Sequence, residues 1–281
     1  MYERPASLDK ALSSLAAGEK AILAGGTDFY PMLGERQPSG AVVDITGLAE
    51  LRYMKREPDG WHIGALATWT DIVQADLPPA FDGLKLAARE VGSIQIQNRA
   101  TVAGNLCNAS PAADGVPPLL TLDAEIQLSS LSGSRRIALS DFIDGYRSTV
   151  LQPGELVTAI VIPEGSAAGR SSFLKLGARK YLVISIAMVA SRLVIGTDDT
   201  IVSAAVSVGA CSEVAQRLGS LEGDLLGADV SKGFSGLVRP EHLAGLSPIS
   251  DVRATNEYRH IAAAELVERV LDDCVLNGAA K

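Results

Sequence analysis

Apolar and polar positions follow different periods along the chain, and each period predicts a different element. Leu8, Ala11, Leu12 and Leu15 recur at steps of three and four, which predicts an amphipathic helix over residues 7–17 with Ser7 as cap and Gly18 as stop. Short apolar runs at 21–24 and 42–45 predict buried strands, so residues 7–46 resemble a small unit of parallel strands joined by crossovers. Alternation over 51–56 and 61–65, around the Asp59-Gly60 turn, predicts a hairpin. Thr70 is positioned to cap a short helix over 71–75, and 78–91 has the pattern of another helix. Residues 92–123 are rich in Gly, Asn, Ser and Pro yet sparsely charged, the composition of a buried functional loop. Strands are expected at 124–128 and 156–162. The stretch 163–169 (PEGSAAG) is the most linker-like, and a domain boundary is placed there. Three more strands are expected at 172–176, 184–194 and 201–209. A closing helix is expected over about 254–276, with Ile261, Leu266, Val270, Leu271 and Val275 as its apolar stripe.

Composition narrows the classes of function. Of the 281 residues, 47% are hydrophobic and 21% charged, a globular balance. The net charge of −8 leaves no basic excess to neutralise a phosphate backbone, so no nucleic-acid partner is expected. No apolar run is long enough to span a membrane. The three cysteines, Cys107, Cys211 and Cys274, form no CxxC pair, and the three histidines are dispersed, so no metal site is expected. The odd cysteine count and an N-terminus without a signal-peptide pattern fit a cytoplasmic protein.

The candidate chemistry lies in two glycine segments, 23–28 (LAGGTD) and 101–107 (TVAGNLC). Glycine lets a backbone approach a ligand and turn its N–H groups onto an anion. Two such turns could clasp a pyrophosphate, with Thr27, Thr101 and Asn105 adding neutral donors. Taken singly, each reads first as an ordinary turn. Neither matches GxGxxG or a Walker sequence.

The longer block 96–114 (IQNRATVAGNLCNASPAAD) resembles the second flavin-binding signature of the FAD-binding medium subunit of the molybdenum hydroxylases, the xanthine dehydrogenase and carbon monoxide dehydrogenase family. Residues 23–28 resemble the first signature. Three further blocks resemble later parts of that subunit: 155–163 (ELVTAIVIP), 173–179 (FLKLGAR) followed by Ile184-Ser185, and 251–259 (DVRATNEYR). The resemblance implies an α+β fold. A two-lobed FAD-binding domain of the vanillyl-alcohol-oxidase (PCMH) type would occupy 1–165, with lobes about 1–50 and 51–165. A C-terminal domain with a three-stranded antiparallel sheet and helices would occupy 170–281. It implies FAD contacts at Ala24, Gly25, Gly26, Thr27, Asp28 and Phe29, and at Thr101, Ala103, Gly104 and Asn105. Asp114 would meet FAD hydroxyls, Lys175 would lie close to the cofactor, and Val157 would be an aliphatic contact. Tyr181 lies in a loop that approaches the flavin in relatives, although a surface or core tyrosine is an equal reading.

Two departures from the family pattern stand out. Ala103 replaces a glycine, which is free of strain only if its φ is negative. Gln97-Asn98-Arg99 stands where family members commonly have Arg before Asn, so a charge contact near the site is either lost or shifted by two residues. No histidine lies in either glycine segment, which favours non-covalent FAD. Cys107 has two readings, a small apolar packing residue or a neighbour of the cofactor. Arg259 is read as a helix-surface charge or a subunit contact.

The resemblance further implies an electron-transfer subunit. Its partners would be a large molybdopterin subunit and a small subunit with [2Fe–2S] clusters, and NAD or another acceptor would take the electrons. A free-standing FAD-dependent reductase or oxidase, and a flavin-free assembly subunit, are the alternatives.

Overall fold

A computed structural model of the chain describes residues 1–276. The closing residues of the expected 170–281 unit, 277–281, lie outside the described residues. The first lobe contains β1 (Tyr2–Glu3), α1 (Leu8–Ala16), β2 (Ala21–Leu23), α2 (Phe29–Leu33) and β3 (Val42–Asp44). Its sheet runs β1-β3-β2, and both pairings are parallel, as the crossover pattern predicts. Ser7 caps α1 by accepting from the Lys10 N–H, and Ala11, Leu12 and Leu15 are its buried residues. These pack with Val43, Ile45 and Leu48, and with Leu66 and Leu156 of the second lobe, into one core cluster, and burying each leucine contributes about 1.5–3 kcal/mol.

The second lobe begins with the hairpin β4 (Met54–Glu57) and β5 (Gly60–Gly64). Then follow α3 (Trp69–Gln74), α4 (Asp82–Glu90), α5 (Ile94–Gln97), α6 (Val102–Asn108) and α7 (Val116–Thr121). The strands β6 (Glu125–Ser130) and β7 (Gly133–Ala138) come next. A short α8 (Leu139–Phe142), the strands β8 (Ile143–Gly145) and β9 (Ser148–Thr149), and β10 (Leu156–Pro163) complete it. The sheet order is β4-β5-β10-β6-β7, antiparallel throughout, with the almost wholly buried β10 in the middle. Trp69, Phe81, Leu84, Leu106, Leu119 and Phe142 fill the core between this sheet and the helices.

Three local readings need correction here. Residues 92–123 are not a loop but contain α5, α6 and α7. Ser93 and Thr101 cap the first two, each accepting a backbone N–H three residues on. The cap of α3 is Thr68, not Thr70: Thr68 and Asp71 form a reciprocal capping box, while the Thr70 hydroxyl donates to Asn98 Oδ1 at 2.6 Å. The stretch 78–91 is a 3-10 turn, Pro79–Phe81, followed by α4, and not one helix.

The C-terminal part contains β11 (Arg170–Leu176), β12 (Ala187–Ile195), β13 (Ile201–Gly209), β14 (Gln216–Arg217), α9 (Gly219–Leu225) and α10 (Asn256–Leu276). The antiparallel sheet β11-β12-β13 carries β14 as a two-residue fourth strand at its edge. The buried face of α10 is Ala262, Ala263, Val267, Val270, Leu271 and Cys274, whereas Ile261 faces outward. Arg259 is not a surface charge. It is 3% exposed and donates to the carbonyls of Ile186 and Ala210 and to Asp251 Oδ1 at 2.9 Å. The linker-like 163–169 is also ordered, for Ser166 is buried and donates to Asp123 Oδ2 at 2.8 Å. Asp123 in turn accepts from Arg192 and Arg217 of β12 and β14, which ties the second lobe to the C-terminal part.

Candidate functional site

The two glycine segments meet. The first leaves β2 at Leu23 and turns through Gly26, whose φ of +77° is the left-handed conformation that favours glycine, into α2. The second begins at Thr101, whose hydroxyl accepts the Gly104 N–H at 3.0 Å and so starts α6. Trp69 N donates to Ala100 O and Val102 N to Ala67 O, which pins this start to the head of α3. Gly25 packs directly on the second segment: a Cβ there would lie 2.1 Å from the Arg99 carbonyl oxygen. No other residue allows that approach.

A cavity of about 420 Å³ opens where the segments meet, between the two lobes. Ala24, Gly25, Gly26, Thr27, Asp28 and Phe29 line it from one side, and Thr101, Ala103, Gly104 and Asn105 from the other. Val157 of β10 forms part of its apolar floor with Ile45, Ala65 and Leu156. Among the described residues the wall contains no lysine or arginine, and Asp28 is its one carboxylate. Its donors are backbone groups. The N–H groups of Gly25, Gly26, Thr27 and Asp28 have no acceptor among the described residues, and neither does that of Ala103 in the first turn of α6. Ala103 has the negative φ of a helix, so its replacement of glycine adds no strain.

Three of the residues expected near the cofactor do not line this cavity. Asp114 and Lys175 form an ion pair at 2.8 Å, with both side chains at most 10% exposed. Ser185 donates to the other carboxylate oxygen at 3.1 Å, and Lys175 also donates to the Glu90 carbonyl. Burial pushes the Asp114 carboxyl above its ordinary range, although Lys175 and Ser185 pull it back. Tyr181 is exposed in the turn after β11, where the Arg179 guanidinium donates to the Tyr181 and Leu182 carbonyls. Gln97 is a buried structural residue, donating to the Arg89 carbonyl at 3.0 Å.

Other wall residues escaped the sequence reading. Trp69 is fully buried and lines the cavity, and among the described residues its indole N–H has no acceptor and the Asn105 Oδ1 atom no donor. Gly115 makes room for this pair, since a Cβ there would lie 2.4 Å from the Trp69 ring and 3.0 Å from Asn105 Oδ1. Nothing local marks Trp69, because its role depends on contacts with segments 30 to 50 residues away. Cys107 is not a packing residue. It is exposed on the cavity wall.

Comparison with known proteins identifies the class. Residues 1–165 match the model of the FAD binding domain in molybdopterin dehydrogenase, and residues 172–274 that of the CO dehydrogenase flavoprotein C-terminal domain. The chain belongs to the molybdopterin dehydrogenase FAD-binding family. It is 41% identical over 171 residues to the nicotinate dehydrogenase FAD-subunit of Eubacterium barkeri, covering 59% of this chain and 58% of that one. It is 40% identical over 165 residues to the glyceraldehyde dehydrogenase medium chain of Sulfolobus acidocaldarius, covering 58% and 59%. The matched stretch thus spans under two thirds of these curated relatives. Over nearly its whole length, 98% of this chain and 96% of the other, it superposes on a chain of the carbon monoxide dehydrogenase of Hydrogenophaga pseudoflava, with a TM-score of 0.87 and 25% identity.

The residues present fit FAD. A pyrophosphate needs convergent donors more than it needs cations, and this wall supplies unpaired N–H groups from two glycine turns. An isoalloxazine or adenine ring needs apolar surface, and the floor supplies it. Among the described residues, no cluster of metal-ligating side chains occurs and no helix is long and apolar enough to cross a membrane.

Proposed function

We propose that this chain is the FAD-carrying electron-transfer subunit of a cytoplasmic molybdenum hydroxylase. In this reading it takes electrons from [2Fe–2S] clusters on a small partner, serves a large molybdopterin subunit, and passes the electrons to NAD or another external acceptor. The observation that carries the reading is the meeting of two glycine segments, with unpaired N–H groups, at one apolar-floored cavity. Bound FAD supplies the redox chemistry. The protein binds, orients and shields it. Gly25, Gly26, Thr27 and Asp28 offer N–H groups to the phosphates from one lobe and Ala103 from the other. Thr101 and Gly104 shape the second turn. Phe29 and Val157 add apolar contact. The 1–165 and 170–281 division assigns the cofactor to the first unit, and to the second the strand carrying Lys175 and the turn carrying Tyr181. Asp114, paired with Lys175 at 2.8 Å, would meet FAD hydroxyls, and Lys175 would lie close to the cofactor.

Purification of the chain alone and with its natural partners tests this. Flavin absorbance that passes into the supernatant on acid precipitation is expected, with iron and molybdenum in the copurified complex. Flavin retained on the polypeptide would contradict non-covalent binding. A colourless chain that also rejects added FAD would overturn the proposal.

A further inference from the structure

The hairpin β8–β9 carries an arginine in an unusual setting. Arg147, in the turn between the strands, has a φ of +52°, a left-handed conformation that costs a non-glycine residue energy. The turn is held from two sides. Arg147 N donates to the Ala109 carbonyl at 2.9 Å, just beyond α6, and Tyr146 N donates to Glu213 Oε1 at 2.9 Å in the C-terminal part. The side chain reaches the edge of the cavity. One guanidinium nitrogen donates to Asn108 Oδ1 at 2.5 Å and lies 3.9 Å from the Met32 sulfur. Asn108 and Met32 both line the cavity, one from each lobe. Among the described residues Arg147 has no carboxylate partner within 4.0 Å, although carboxylates outnumber basic side chains by 33 to 25.

We propose that Arg147 supplies the positive charge that the cavity wall lacks, acting on the diphosphate bridge of the bound dinucleotide. This rests on the FAD reading above. The wall offers a dianionic bridge only neutral N–H donors, beside the carboxylate of Asp28. Arg147 keeps donors free of any counter-ion, on a turn fixed by the body of the protein. A guanidinium at the rim acts within the roughly 10 Å over which charges are felt at about 0.1 M salt. It is a binding determinant for the anionic ligand and takes no part in electron transfer.

The test is the FAD dissociation constant of the full chain, after removal of bound flavin, at low and high salt. Arg147→Asn removes the cation while tolerating the left-handed turn. Arg147→Lys keeps the charge. At low salt Arg147→Asn should bind FAD about tenfold more weakly, Arg147→Lys should recover most of the loss, and the gap should close as salt rises. Thermal midpoints of the flavin-free variants should match that of the parent. Equal, salt-independent losses in both variants would make Arg147 a steric latch and overturn the proposal. Unchanged affinity in Arg147→Asn would overturn it too, while leaving the FAD reading intact. Failure of the parent chain to bind FAD would instead bring down the reading on which it rests.

Discussion

Gly25→Ala isolates the contact on which the site depends. The added Cβ would meet the Arg99 carbonyl oxygen at 2.1 Å, the Arg99 carbonyl carbon at 2.8 Å and the Ala100 Cα at 2.9 Å. All three are backbone atoms, so no rotamer change relieves the clash. The two glycine segments must separate by roughly 1 Å to restore ordinary contact. Overpacking of this kind costs about 1–3 kcal/mol. At about 2–4 °C per kcal/mol for a domain of this size, the thermal midpoint should fall by about 2–12 °C. Binding should suffer more. Hydrogen bonds to a charged phosphate contribute about 1.5–3 kcal/mol each, and two of them misaligned amount to at least about 3 kcal/mol, a hundredfold in affinity. Titrating flavin-free protein with FAD, followed by flavin fluorescence, measures this directly. Gly40→Ala is the control, because a Cβ there meets nothing within 4 Å. If Gly25→Ala bound FAD as tightly as the parent chain, the two segments would not form one site, and the argument from their contact would be wrong.

Three further outcomes follow from the same geometry. Gly115→Ala should lower the thermal midpoint and weaken FAD binding together, because its Cβ displaces the Trp69 ring from 2.4 Å; a stable variant with normal binding would show that Trp69 does not shape the wall. Asp123→Asn keeps a residue suited to the local φ of +50° but removes the carboxylate shared by Arg192 and Arg217, which is 46% exposed, so chemical denaturation should show a loss of about 1–2 kcal/mol, and a loss under about 0.5 would mean that this network does not hold the parts together. Lys175→Met should cost about 3–5 kcal/mol near neutral pH by leaving Asp114 buried without its cation. Burial holds the folded carboxyl pKa above its unfolded value, so the folded chain keeps a proton that the unfolded chain has released, and stability falls as pH rises through that window. The deficit of Lys175→Met should therefore shrink between pH 7.5 and pH 5, and a deficit independent of pH would refute this account.

What the sequence disclosed, and what it hid, follows from the range over which each feature is determined. The elements α1 and β10, and the extent of α10, were legible because a local repeat or an apolar run broken only by Thr158 carries them. The glycine segments were legible because backbone N–H chemistry requires glycine at fixed places, and Gly26 and Gly25 meet that need for different reasons, a left-handed φ in one and a 2.1 Å approach in the other. Helices α5 to α7 were hidden because their residues are poor helix formers. Packing around Leu106 and Leu119 and the caps at Ser93 and Thr101 override that weakness, and only the caps left a mark in the sequence. Ile261 was misassigned for the opposite reason: it fits a stripe, but the face that meets the sheet is the one centred on Ala263 and Val267. Trp69, Arg147 and the pairing of Asp114 with Lys175 left no local signal, since each is defined by partners tens of residues away. The division is physical. Residues that present backbone to a ligand are constrained by conformation, which is local, whereas residues that present a side chain are constrained by where the fold carries them. A reading from glycine turns therefore finds the backbone donors of the cavity before it finds the side chains that surround them.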